Sequence, residues 1–264
     1  MPPDEGYLLG NSAEPAGVRL EAISALFDPS TFRHVKRLGI RPGWRCWEVG
    51  AGSPTVPTWL ADQVGPRGSV LATDIDLSRL AGAAGSPYDV RRHDVGSDEP
   101  PPGPFDLIHA RLVLVHVPLR AQALLNLVRV LRPGGWLLVE DADPRLQPLA
   151  CPDEYGPDQQ LANALRRSFR QLLSERGADL GYGRTLPRQL RAAGLTDVAA
   201  DAYFPMTSSA GDRLEAATVV LLRDRLLAAG IATGAEIERH LANVQAGRLD
   251  IATAPMISAW GRCG

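Results

Sequence analysis

Arg45-Cys46-Trp47-Glu48-Val49-Gly50-Ala51-Gly52-Ser53-Pro54 is a short run of strand-forming residues that ends on a glycine turn. Trp47 and Val49 suit a pleated, buried surface. Gly50 and Gly52 can take positive φ and let a ligand approach the backbone closely. A helix from about Val56 to Val64 should follow, with Pro57 tolerated in its first turn. Its first N–H groups would be free to meet that ligand. A dinucleotide site uses the same parts, but its G-x-G-x-x-G fingerprint would need a third glycine where this chain has Thr55. Glu48, beside the turn, would repel a pyrophosphate and suit a ligand carrying an ammonium and a sulfonium.

Moving outward from the turn, strands and helices alternate. SVLATDI (69–75) reads as a second strand, with Asp76 capping a short helix over Leu77 to Ala83. YDVRRHDV (88–95) is a third, weaker strand, and EPPPGP (99–104) a stiff loop. FDLIHARLVL (105–114) begins as a fourth strand, followed by a helix from Pro118 to Leu131. RPGG (132–135) ends that helix, and WLLVED (136–141) is a fifth strand. This alternation predicts βαβ units and a parallel sheet whose strand C-termini share one edge, where such sheets bind ligands. Asp74 would accept hydrogen bonds from both ribose hydroxyls there, and Asp94 from an adenine amino group. No basic residue is placed by the sequence for a 2′-phosphate. The three acids read as an adenosyl site without a phosphate.

Upstream, residues 18–38 predict one or two amphipathic helices broken at Asp28-Pro29, with residues 1–17 as an arm over the body. Downstream, 142–157 reads as a long loop. Leu161, Leu165, Phe169, Leu172 and Leu173 form an amphipathic stripe between Asp158 and Arg176. Arg166, Arg167 and Arg170 lie on its other face, read as solvated rather than as an anion site. A helix over 184–195 ended by Gly194, a strand over 197–208, and helices over 212–229 and 234–246 follow. Residues 249–263 close the chain as an edge strand, consistent with Pro255. One elaborated domain is the simplest account.

A formal net charge of −2, with Lys36 the only lysine, offers no field for phosphate backbones or anionic membranes. Nucleic acid and membrane are therefore not expected partners. Cys46, Cys151 and Cys263 make neither a disulfide framework nor a zinc motif, so no metal is expected and a reducing cytoplasm fits. The acidic, Pro/Gly-rich start does not read as a signal peptide, and no apolar run approaches a membrane span.

The motifs EVGAG, ATDID, HDV, FDLIHARLVLVHVP and LRPGGWLLVED resemble, in order and spacing, those of class I S-adenosylmethionine-dependent methyltransferases. The small-molecule group that includes ubiquinone/menaquinone-biosynthesis enzymes is the most similar. The resemblance covers about residues 40–141 and implies a Rossmann-like α/β fold: a seven-stranded, mostly parallel sheet with an antiparallel last strand at 249–263. It implies S-adenosylmethionine as cofactor, S-adenosylhomocysteine as product, and a small, partly apolar methyl acceptor. Glu48 would lie near the methionine amino group, with Gly50, Ala51 and Gly52 under the methionine and ribose. Asp74 would hold the ribose hydroxyls and Ile75 the adenine face. Asp94 and Val95 would meet the adenine edge, and Ala110 and Arg111 would border the methionine. Pro54 departs from the family, which often has a further glycine there.

Methyl transfer demands alignment and exclusion of water more than side-chain chemistry. His116, after the fourth strand, is the candidate general base, and a structural role is the alternative. His109, within the strand, reads as a packed core histidine. Asp141, Asp143 and Tyr155 are candidate substrate contacts. Residues 1–38 would form a lid, 39–141 the cofactor-binding core, and 142–182 with 209–247 a helical cover that sets specificity. The sequence allows a homodimer. Two alternatives stand: a non-methylating member of the same fold, such as a cyclase or a cofactor-binding partner, and an NAD-dependent oxidoreductase.

Overall fold

The computed structural model describes residues 14–80 and 87–264. Its strands are β1 (Arg45–Val49), β2 (Ser69–Asp74), β3 (Asp89–Arg92), β4 (Phe105–Arg111), β5 (Leu131–Ala142), β6 (Thr196–Tyr203) and β7 (Met256–Arg262). They form one sheet in the order β3-β2-β1-β4-β5-β7-β6. β1 to β5 pair in parallel, and β7 runs antiparallel between β5 and β6. The predicted seven-stranded sheet with an antiparallel last strand is thus present.

The helices are α1 (Glu14–Arg37), α2 (Thr55–Val64), α3 (Arg120–Arg129), α4 (Pro157–Glu175), α5 (Leu186–Ala192), α6 (Ser209–Ala228) and α7 (Gly234–Gln245). By contact the chain divides into two compact units. A sheet unit comprises Phe27–Asp143, Gly181–Tyr203 and Met256–Gly264; a helical unit comprises Pro144–Leu180, Phe204–Pro255 and the residues up to Leu26.

In the sheet unit, strand alternation sends side chains to two separate cores. Trp47, Val49, Ile108 and Val139 pack with α3 (Leu124, Leu127) and α5 (Leu186, Leu190) on one face. Cys46, Leu107 and Leu138 pack with Val35 of α1 and with α2 (Val56, Leu60, Val64) on the other. The helical unit has its own core of Leu165, Leu173, Val219, Leu222, Leu226 and Ile237, in which the predicted α4 stripe takes part.

Five sequence expectations are corrected. The last strand is not an edge: Pro255 precedes Met256, so Met256–Arg262 keeps every N–H for two ladders, and β6 forms the edge. α1 runs through Pro29 unbroken. The ring removes a single i→i−4 bond, while Asp28, Thr31 and His34 around it bond to strand residues. β4 ends at Arg111, where Leu112 takes a left-handed conformation (φ 58°), and Leu114–His116 forms a 3-10 turn. β5 starts already at Leu131, across an irregularity in its pairing with β4, so RPGG lies within the strand and not in a preceding turn. Finally, Arg166 is no solvated residue: it bonds Glu215 at 2.6 Å and the Ala252 carbonyl at 3.1 Å. The Leu77–Ala83 helix is described only to Leu80, where Ser78–Leu80 makes a turn, and the Tyr7-Leu8-Leu9 arm lies outside the described residues.

Candidate functional site

Because β1, β2, β3 and β4 are parallel neighbours, their C-terminal ends lie along one edge. The β1 turn there depends on glycine. Gly50 and Gly52 have φ of 62° and 60°, a region that costs an L-residue roughly 1–2 kcal/mol. A Cβ at Gly50 would also lie 2.4 Å from Val113 Cγ2, so the segment after β4 closes directly on this turn.

The turn is tied to β2. The Ala51 N–H donates to the Thr73 carbonyl at 3.0 Å, and the Gly52 N–H donates to Asp74 Oδ2 at 2.9 Å. The Asp76 N–H donates to the other oxygen, Oδ1, at 3.0 Å. Asp74 is buried, which raises its carboxyl pKa, while the backbone donors from Asp76, Gly52 and Ile75 oppose that rise. A carboxylate oxygen has two lone-pair directions, so these bonds aim Asp74 and still leave acceptor capacity. Ile75, next in the chain, is 50% exposed, an apolar surface beside a fixed acid. At the end of β3, Asp94 Oδ1 accepts the Gly96 N–H at 2.8 Å, and Val95 packs into the core. Arg92 is the register partner of Asp74. A basic residue is therefore nearer Asp74 than the sequence reading recognised.

A buried polar row crosses the sheet on the α1 face. Glu48 Oε2 lies 2.6 Å from His109 Nδ1, and His109 Nε2 lies 3.1 Å from Glu140 Oε2. Glu140 accepts from Ser258 Oγ at 2.6 Å and from Thr31 Oγ1, and its Oε1 lies 3.3 Å from His34 Nδ1. His34 Nε2 in turn lies 2.8 Å from Asp201 Oδ1. Arg111 joins the row by donating to Thr31 Oγ1 at 3.0 Å and to Asp28 Oδ1 at 2.7 Å. Burial alone would lower the His109 pKa, but the flanking Glu48 and Glu140 raise it to about 9. Burial raises Glu48, which has His109 as its one bonded cation among the described residues. Glu140 is held well below the usual carboxylate range, since bonds from His109 and His34 outweigh its burial.

His109 is thus fully buried, as expected, but it is a bridge between two acids and not a passive packing residue. Sequence reasoning missed Thr31, His34, Glu140, Asp201 and Ser258. The available signal was the recurrence of charged residues inside otherwise apolar strands, which demand buried partners.

The remaining candidates separate. Ala110 is buried on the opposite face, against the α3 side. His116 closes the 3-10 turn after β4 and is partly exposed. Asp141 is fully buried, and burial drives its carboxyl pKa well above the ordinary range despite the charge of Arg120. Asp143 is gripped by Arg184, with Nε and Nη2 at 2.7 and 2.6 Å and the backbone N–H at 3.0 Å. Tyr155 belongs to the helical unit and is 74% exposed.

A family described as a methyltransferase domain matches residues 24–200. Among curated proteins, methyltransferase str2 of Strobilurus tenacellus is 34% identical over 154 residues, covering 55% of this chain and 51% of that protein. The ubiquinone/menaquinone biosynthesis C-methyltransferase UbiE of Vibrio cholerae is 33% identical over 123 residues, covering 42% of this chain and 46% of UbiE. The chain therefore spans about half or less of the length of these relatives. In fold it is similar to phosphoethanolamine N-methyltransferase 2 of Haemonchus contortus, solved with phosphomonomethylethanolamine and S-adenosylhomocysteine (TM-score 0.57, 16% identity, 95% of this chain and 58% of that one). It is also similar to the YcgJ protein of Bacillus subtilis (TM-score 0.54, 16% identity, 89% and 98%). With the profile match spanning well over half its length, this chain belongs to the methyltransferase-domain family.

Proposed function

We propose that the chain binds S-adenosylmethionine along the β1–β4 edge and transfers its methyl group to a small, partly apolar acceptor. The observation that carries this reading is the Asp74 carboxylate bonded to Gly52 of the glycine turn, with exposed Ile75 beside it. That arrangement offers an acid for two ribose hydroxyls and an apolar face for a base. The donor set fits the cofactor, since the strand ends carry carboxylates and Thr55, at the third-glycine position of a dinucleotide fingerprint, is exposed at the start of α2. Bound, S-adenosylmethionine supplies an electrophilic methyl on a sulfonium.

The protein's own part is binding, orientation and exclusion of water. Asp74 holds the ribose, Ile75 covers the adenine, and Asp94 accepts from its amino group through the oxygen not engaged by Gly96. Glu48 receives the ammonium. Gly50, Ala51 and Gly52 pass beneath the methionine and ribose. His116 takes a proton from the acceptor when that acceptor is an alcohol or phenol. Burial raises the Asp141 carboxyl pKa, and in its protonated form that group donates a hydrogen bond to an acceptor oxygen. Asp143 is already committed to Arg184, so an acceptor would have to compete with that pair.

Acceptor selectivity is assigned within the same proposal to residues 142–182 and 209–247. The proposal extends to a cytoplasmic setting and allows a homodimer; among the described residues no helix is long and apolar enough to cross a membrane. Incubation with S-adenosylmethionine and a panel of phenols, amines and quinols should release S-adenosylhomocysteine with at least one acceptor. Tight cofactor binding with no transfer to any of them would instead identify a non-methylating member of the fold.

A further inference from the structure

We propose that His109 is a positioning residue for the cofactor's ammonium group, acting through Glu48. The proposal rests on the reading of the β1–β4 edge as an S-adenosylmethionine site.

Acids and histidines alternate along the buried row: Glu48, His109, Glu140, His34, Asp201. Each histidine sits between two carboxylates. The outer end, Asp201, is partly exposed and is met by Arg33 at 3.5 Å. The inner end is Glu48, which stops the alternation on a carboxylate two residues before the glycine turn. One further cation completes the pattern, and an ammonium held at the end of β1 is such a cation.

His109 is placed to govern that contact. It is the register partner of Glu48 on the neighbouring strand, so the two side chains leave the sheet on the same face. Its Nδ1–H fixes one Glu48 oxygen at 2.6 Å, which restricts the rotamer in which the other can face a ligand. Glu140 holds the far side of the ring and so sets its orientation and favours its charged form. Burial around Glu48 disfavours its lone charge, opposed by His109 and Arg111 and reinforced by Glu140. A bound ammonium relieves that cost, and before the ligand arrives His109 already opposes the effect of burial on Glu48.

The test is calorimetric titration of the full chain and its H109Q and E140Q variants with three ligands. These are S-adenosylhomocysteine, its deaminated analogue that keeps the carboxylate, and 5′-methylthioadenosine, which lacks the amino-acid portion. H109Q should weaken S-adenosylhomocysteine binding about tenfold, the lower end expected for a hydrogen bond to a charged group. It should leave the other two ligands within about twofold. E140Q should show the same selectivity at about threefold, and it carries the test if H109Q does not fold. An equal loss for all three ligands, or no loss for any, overturns the role of His109. Failure of the unaltered protein to bind S-adenosylhomocysteine at all would instead remove the cofactor reading beneath it.

Discussion

His109 Nδ1 lies 2.6 Å from Glu48 Oε2, on adjacent parallel strands where the two residues are direct register partners. A second acid, Glu140, meets the other ring nitrogen. Stability should therefore depend on pH in a definite direction. The folded His109 pKa is raised to about 9 from 6.5, so its contribution is complete below 6.5 and is lost as pH rises through about 9. The full effect is on the order of 3 kcal/mol. Urea melts from pH 6 to 9.5 should show the stability gap between the natural protein and H109Q shrinking as pH rises. A constant gap would mean the imidazole is neutral throughout.

Glu48 titrates with the opposite sense. Its pKa is raised by burial in the free protein, and a neighbouring ammonium should bring it down. Binding of S-adenosylhomocysteine should then release protons at mildly acidic pH. Titrations in buffers of different ionisation enthalpy would show this as a buffer-dependent heat, and a buffer-independent heat would place the ammonium elsewhere.

Replacing Asp74 by alanine removes the acid proposed for the ribose and the acceptor for the Gly52 and Asp76 N–H groups. Cofactor affinity should fall by about 1.5–3 kcal/mol. Asn at this position keeps one acceptor oxygen and should lose less. Equal affinity for the natural protein and the alanine variant would contradict the assignment.

Gly50→Ala combines a left-handed backbone with a Cβ placed 2.4 Å from Val113 Cγ2. The single variant should lose at least about 1–2 kcal/mol from the backbone alone. Adding Val113→Ala should recover the steric part and leave the backbone part. A double variant no more stable than G50A, after correction for V113A itself, would show that the contact relaxes without cost.

Removing the Arg184 side chain takes two charged N–H donors from a fully buried Asp143 and keeps the backbone N–H of residue 184. Arg184→Ala should lower stability by about 1–3 kcal/mol. Thermal unfolding would report it, and an unchanged midpoint would imply that water replaces the guanidinium fully and that Asp143 is available to a substrate.

Much of the sheet was legible because its signals are local. Gly50 and Gly52, the acids at strand ends and the alternation of apolar strands with helices each follow from neighbours in sequence. What escaped depends on partners far along the chain. Pro29 looked like a helix break, yet Asp28, Thr31 and His34 anchor the helix to β4 and β5, more than eighty residues away in places. The segment 249–263 looked like an edge, because only the pairing of β6 with β7 reveals which strand is outermost. Glu48 was recognised as an acid by the turn, but its histidine partner lies on β4 and could not be read from spacing. Asp143 is a similar case: the side chain that claims it, Arg184, follows a whole helix and loop later.

The account stands most directly on what the β1 turn holds. Titration of the unaltered protein with S-adenosylhomocysteine and, separately, with NAD should give saturable one-site binding of the first and none of the second. Tight binding of NAD with no heat from S-adenosylhomocysteine would contradict it.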